Sequence, residues 1–183
     1  MLKAPLKIKK IMHGFKPDWF IAGGWAIDLY IGKQTREHSD IEIAIFREDQ
    51  LVLQEYLKDQ NRKKVVNGKL SMWEKDEFLE LPIHEIHSDG FEILLNERNE
   101  SEWIYRRDAR IRYPLNKFSL RIDDVLKILS PEIVLLYKSK DVKEKDDLDF
   151  ESVLEKLKKE RKEWLRASIK LSDENHKWLE KLK

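Results

Sequence analysis

The chain has 183 residues, 41% hydrophobic and 39% charged, with 36 Lys and Arg against 35 Asp and Glu, a formal net charge of +1 and no cysteine. The apolar fraction suffices for a core in one or two small domains, and the near balance of charge argues against a general nucleic-acid-coating role, which favours a strongly basic face. The lack of cysteine excludes a disulfide framework and a thiol nucleophile. The N-terminal residues carry no secretory apolar core, and no apolar run is long enough to cross a bilayer, so a cytoplasmic protein without a membrane partner is expected.

In chain order, Ile8 to Phe15 reads as an opening helix that ends near Gly14, and Trp19 to Ala22 as a first, buried strand. Gly23-Gly24 reads as a turn, followed by a helix from Trp25 to Ile31 that Gly32 is suited to stop. Asp40 to Phe46 reads as a second strand. Glu48 to Asp59 repeats apolar residues at helical spacing through Leu53, Tyr56 and Leu57. Asn67-Gly68 between Lys63–Val66 and Leu70–Trp73 is a strong hairpin signal. Ser88-Asp89-Gly90 between Ile83–His87 and Phe91–Leu95 is another. Alternation predicts that Trp103 to Arg112 is extended. Pro131 suits the first position of a helix, with Ser130 as its N-cap and Ile133, Leu136 and Tyr137 as its apolar stripe. Phe150, Val153, Leu154 and Leu157 fit one further helix face, and Trp164, Leu165 and Ile169 another. The class is therefore α+β. Residues 1–120 are expected to form a domain built on a mixed sheet flanked by helices, and residues 121–183 a helical region packed on it.

The chemistry concentrates between Phe20 and Ile45. Side chains alternate along a strand, so Asp40 and Glu42 share a face with Ala44, while Ile41, Ile43 and Ile45 are buried on the other and fix the register. Two carboxylates so spaced can share a hard divalent cation, which takes oxygen ligands and keeps sites for phosphate oxygens. Gly23 and Gly24 lack Cβ atoms, so backbone amides at the start of the following helix can approach an anion closely. A phosphate cradle beside a carboxylate pair is what phosphoryl or nucleotidyl transfer requires. Arg36, in the polar loop from Gly32 to Ser39, can reach a phosphate. On the strand Phe91 to Glu97, Glu92 is the preferred third carboxylate and Glu85 its rival, with Glu97 solvated at the strand end. Lys138 and Lys140, just past the Pro131 helix stripe, can neutralise phosphate as compact point charges. His84 and His87 are three apart, on opposite faces of a strand, and read as polar edge residues. Lys156 to Lys162 reads as a solvated helix face.

Gly23-Gly24-Trp25, followed by Arg36-Glu37-His38-Ser39-Asp40-Ile41-Glu42-Ile43, resembles the signature of the nucleotidyltransferase superfamily. The segments Trp103–Asp108, Pro131–Lys138, Lys145–Phe150 and His176 with Trp178 are similar to its branch of aminoglycoside 2''-adenylyltransferase-like and lincosamide nucleotidyltransferase-like proteins. The resemblance runs from about Trp19 to Trp178. It implies a mixed sheet with a helical C-terminal part, ATP or another nucleoside triphosphate as donor, Mg2+ as cofactor, and transfer of a nucleoside monophosphate to a hydroxyl of a small acceptor. It further implies metal binding at Asp40, Glu42 and Glu92, triphosphate binding at Gly23 and Gly24 with support from Arg36 and Lys138, and a bracing role for Lys145 and Asp149. The branch often has Asp where this chain has Glu42. Two other readings stand beside this one: a protein- or tRNA-modifying transferase of a toxin–antitoxin type, and a nucleotide-binding module with a degraded site.

Overall fold

The computed structural model describes residues 3–183. Its elements are α1 (Lys3–Ile11), β1 (Trp19–Ile21), α2 (Gly23–Ile31), β2 (Glu42–Phe46), α3 (Gln50–Tyr56), β3 (Lys63–Val66), β4 (Lys69–Met72), β5 (Glu85–Ser88), β6 (Phe91–Arg98), β7 (Glu102–Ile104), β8 (Arg112–Pro114), the single turn α4 (Leu115–Phe118), β9 (Ser119–Arg121), β10 (Lys127–Leu129), α5 (Pro131–Lys138), α6 (Glu144–Leu154) and α7 (Lys159–Ser172). The main sheet runs β4-β3-β5-β6-β2-β1-β10-β9, and the β7–β8 hairpin extends from the far end of β6. The sheet is mixed, because β2 pairs with β6 and β1 with β10 in parallel while β1 and β2 are antiparallel. This is the expected α+β architecture.

Burial explains the centre of the sheet. Ile21, Ile43, Ile45 and Ile93 are fully buried in β1, β2 and β6, which locks the register that brings Glu42 opposite Glu92. Helix α5 is buried along nearly its whole length and covers the sheet beside α2. Both hairpins form where glycine allows positive φ: Asn67 and Gly68 stand at φ 50° and 73°, and Gly90 at 85°. Gly32, at φ 87°, caps α2 through its N–H to the Asp28 carbonyl.

Four expectations need correction. Trp103 to Arg112 is not one extended run: β7 gives way to a turn in which Asp108 accepts from the Arg110 backbone N–H and pairs with its guanidinium. Ser130 occupies the N-cap position of α5 but donates its hydroxyl to the Lys117 carbonyl instead of capping. Lys156 to Lys162 is the junction of α6 and α7, and Arg161 within it reaches the buried Glu132 carboxylate at 2.6 and 2.8 Å. Glu97 is ion-paired with Arg47 at 2.6 Å and is not a free surface carboxylate.

Candidate active site

A cavity of about 430 Å³ opens where the ends of β2, β5 and β6 meet the start of α2, the end of α5 and the α5–α6 loop. Gly23, Asp40, Glu42, Glu85 and Glu92 line it, together with Lys138, Lys140, Lys143 and Lys145. Of the residues singled out from the sequence, the fold therefore brings Gly23, Asp40, Glu42, Glu92, Glu85, Lys138 and Lys140 around one space. Gly24 and Arg36 lie outside that lining.

Asp40 stands two residues before β2, outside the strand expected to begin with it, and is held by its backbone: its carbonyl accepts the Trp25 indole N–H at 3.0 Å, and its carboxylate accepts the Ser39 hydroxyl at 2.7 Å. Glu42 opens β2, and its carbonyl accepts the Ala22 N–H at 2.9 Å, tying the strand to the start of α2. Its carboxylate accepts no hydrogen bond among the described residues. Burial, the first cause, and then the negative charges of Asp40 and Glu92 push its pKa up to about 7, against the pull of Lys138 and Lys145. Glu92 also stands above the ordinary carboxylate range, chiefly because it is partly buried. Its His87 neighbour approaches to 3.7 Å, and His87 in turn bonds Glu85 at 2.6 Å. Glu85, His87 and Glu92 thus form one cluster on the β5–β6 hairpin. Reading His87 as an edge residue missed this, because its partners are Glu85, two residues before it on the same face of β5, and Glu92, opposite it on β6, and not His84.

Asp40, Glu42 and Glu92 line one cavity, and Asp40 and Glu92 both act electrostatically on the half-buried Glu42; carboxylates of this kind are the oxygen donors that a hard divalent cation such as magnesium takes. Among the described residues, the set of three whose ligand atoms lie within 4.8 Å of one another is Glu85, His87 and Glu92; Asp40 and Glu42 line the cavity beside it.

The two glycines serve for a reason beyond amide approach. Gly23 has φ 56°, and a methyl there would overlap the Glu42 carboxylate. A methyl on Gly24 would press on the Arg36 guanidinium and the His38 ring. Helix α2 begins at Gly23 itself, two residues earlier than its sequence suggests, so its unpaired amides start at the cavity wall.

Arg36 is committed to Asp149: two of its N–H groups donate to the two carboxylate oxygens at 2.8 Å each. Asp149 is fully buried and also takes Lys138 at 3.0 Å, while Lys138 reaches Asp146 at 2.7 Å. Burial raises the Asp149 pKa, but the Arg36 and Lys138 hydrogen bonds outweigh it and hold the group below the usual range. A second buried set lies behind α2, where Asp28 accepts from the Thr35 amide and hydroxyl and meets His38 at 2.5 Å. The His38 ring packs on Trp25, with centroids 4.4 Å apart. The loop from Gly32 to Ser39, which read as merely polar, is fixed by these two acids through Thr35, Arg36 and His38. His176, from the tail, is buried: its Nε2 meets the Ser139 carbonyl at 2.9 Å and its Nδ1 accepts the Trp178 N–H, while Trp178 stacks on Phe150.

Comparison with known proteins gives the same fold. The crystal structure of ANT(2'')-Ia in complex with adenylyl-2''-tobramycin aligns with a TM-score of 0.62 at 17% identity, over 93% of this chain and 99% of that one. The lincomycin-bound lincosamide antibiotic adenylyltransferase LnuA aligns with a TM-score of 0.56 at 22% identity, over 84% and 96%. No curated protein matches the sequence. The family described as aminoglycoside-2''-adenylyltransferase matches residues 6–153, most of the chain. The chain is a member of that family of nucleotidyltransferases.

Proposed function

We propose that this protein moves a nucleoside monophosphate, adenylyl by family likeness, from a nucleoside triphosphate to a hydroxyl of a small acceptor, with magnesium as cofactor. The observation that carries the reading is the convergence of Asp40, Glu42 and Glu92 beside Gly23, with lysines from the α5–α6 region around the same cavity. The named ligands of the neighbours, tobramycin and lincomycin, suggest an aminoglycoside- or lincosamide-like acceptor.

In this reading the Gly23 turn and the amides at the start of α2 receive triphosphate oxygens. Lys138 and Lys140 add positive charge on the opposite side. Arg36 works through Asp149, which orients Lys138, and is a positioning residue. When bound at Asp40, Glu42 and Glu92, magnesium would supply charge neutralisation and fix the triphosphate oxygens. The acceptor oxygen bonds to the α-phosphorus as the α–β phosphoanhydride bond breaks and pyrophosphate leaves. Glu85, the carboxylate beside Glu92 in the same cavity, takes the hydroxyl proton. Dependence on a nucleoside triphosphate fits a cytoplasmic setting.

The test is calorimetry of ATP binding with and without magnesium, on the wild type and Asp40→Ala, followed by pyrophosphate release with a panel of hydroxylated acceptors. Magnesium-dependent binding lost in the variant supports the reading. Turnover retained in Asp40→Ala removes it. Nucleotide binding without pyrophosphate release from any acceptor would favour a binding module, and a labelled adduct on protein or tRNA would favour a macromolecular acceptor.

A further inference from the structure

The antiparallel register of β5 and β6 sets three donors on one face. His87 stands opposite Glu92, and Glu85 lies two residues before His87 on its own strand. The His87 Nε2 is 2.6 Å from a Glu85 oxygen and 3.7 Å from a Glu92 oxygen. One ligand atom from each of the three lies within 4.8 Å of the other two. Glu85 and Glu92 line the cavity, and His87 stands behind them, outside the lining. Among the described residues neither carboxylate is ion-paired with a lysine or an arginine, and the imidazole is the one ion-pair partner of both. Arg106 and Lys145 act on them only at longer range.

The imidazole changes which ion fits. Asp40, Glu42 and Glu92 offer oxygen alone, which suits magnesium, a hard ion that dehydrates reluctantly. One imidazole with two carboxylates suits a borderline transition ion, zinc above all, and three protein ligands with a fourth position open is the pattern of an accessible zinc site. Zinc bonds of ~2.0–2.2 Å place tetrahedral ligand atoms about 3–3.6 Å apart. The separations here bracket that spacing on two hydrogen-bonded strands. An ion can therefore enter by side-chain rotation, taking the place of the His87–Glu85 hydrogen bond.

We propose that Glu85, His87 and Glu92 form a second cation site, distinct from the magnesium position, for a borderline divalent transition metal, zinc first, with its open coordination position towards the cavity. The site stands whether or not the chain transfers nucleotides. Its histidine is the donor that separates it from the neighbouring carboxylates, and Glu92 is the ligand that the two positions share.

The experiment strips the full-length protein with EDTA, dialyses it, and titrates it at neutral pH with zinc alone and with magnesium alone by calorimetry. Wild type, His87→Ala, Glu85→Gln and Asp40→Ala are compared, and the visible spectrum of each is recorded with cobalt(II) in place of zinc. The expected result is a zinc site about tenfold or more tighter than any magnesium site. Its affinity falls about tenfold or more in His87→Ala and in Glu85→Gln, and stays within about threefold in Asp40→Ala. The cobalt bands of wild type are altered in His87→Ala and kept in Asp40→Ala. No zinc binding to wild type, or zinc affinity and cobalt bands unchanged in His87→Ala, overturns the proposal. So does a loss of about tenfold or more in Asp40→Ala, which would give the ion to Asp40 and Glu42. Circular dichroism checks that each variant folds; if His87→Ala does not, His87→Gln and Glu85→Gln decide by the same criteria.

Discussion

Asp149, fully buried, and Glu42, half-buried, both lie near Lys138, yet their surroundings push them in opposite directions. Asp149 is gripped by Arg36 and Lys138, and its pKa falls below the ordinary range in spite of burial. Glu42 is half-buried at the cavity wall; desolvation first, and then the charges of Asp40 and Glu92, push its pKa up to about 7. One charge is neutralised by cations fixed in the fold. The other is opposed by burial and its acidic neighbours more than it is helped by Lys138 and Lys145. Of the two, Asp149 is satisfied within the fold, and Glu42 faces the cavity without a hydrogen-bond donor among the described residues.

Removing the scaffold acid should have the largest effect on folding. Asp149→Ala leaves Arg36 and Lys138 without their shared partner, a change that costs about 3–5 kcal/mol when a buried pair is broken. Urea denaturation at neutral pH reads this directly. A loss below about 1 kcal/mol would mean that solvent replaces Asp149 and that the contrast with Glu42 fails. The stability given by Asp149 is present above its unfolded pKa and lost as pH falls through its lowered folded pKa, so Asp149→Ala should also flatten acid denaturation.

Removing the unsatisfied acid should do the reverse. The folded pKa of Glu42, about 7, lies above its ordinary value of 4.5, so folding favours the protonated form. That contribution is fully present below about pH 4.5 and is lost as pH rises through about 7. Without divalent metal, Glu42→Gln should therefore be more stable than wild type at pH 8, by on the order of 2–3 kcal/mol, with little difference at pH 5. Millimolar magnesium should stabilise the wild type at pH 8 and leave Glu42→Gln unmoved. Thermal denaturation at the two pH values, with and without the ion, measures all of this. Equal melting of the two proteins at pH 8 without metal would show that Glu42 is not strained by its neighbours.

Gly23→Ala sharpens the same comparison from the backbone side. The position has φ 56° and faces the Glu42 carboxylate, so alanine is strained and displaces a site group at once. The expected cost is about 1–2 kcal/mol of stability, together with at least a tenfold loss of magnesium-dependent ATP affinity. Gly24→Ala presses on Arg36 and His38 instead, so it should disturb the Asp149 side and weaken folding more than nucleotide binding. Calorimetry and denaturation of the pair separate the two. Equal loss of binding in both variants would undo the distinction.

How much of this was legible in the sequence depends on the range of the interaction. The burial of Ile41 and Ile43 beside Asp40 and Glu42 and the two glycine hairpins rest on local periodicity or turn chemistry, and the fold realises them, whereas Gly23 and Gly24, read as a turn, open α2. Arg36 read as a phosphate ligand because its partner, Asp149, is 113 positions away and looks like any acid on a polar helix. Asp28, buried with His38 and Thr35, lies in an apolar helix where no short pattern marks a partner. Arg106 read as part of an extended strand because the Asp108–Arg110 turn depends on a side chain bonding to its own backbone. Motifs carried the chemistry of the cavity floor, and tertiary pairing decided which cations are spent in ion pairs.

The finest test concerns how Asp40 is held. Asp40 is exposed, unlike Glu42, and its position depends on the Trp25 indole N–H donating to its carbonyl at 3.0 Å, with the indole packed on His38. Trp25→Phe keeps an aromatic ring against His38 but deletes the donor. A single neutral hydrogen bond of this kind contributes about 0.5–1.5 kcal/mol. The carboxylate itself is retained, so magnesium-dependent ATP binding should weaken only severalfold, far less than in Asp40→Ala. If Trp25→Phe instead abolished binding, the backbone anchor and not the carboxylate alone would set the metal site, and α2 would join Glu42 and Asp149 as a third determinant of where charge can sit.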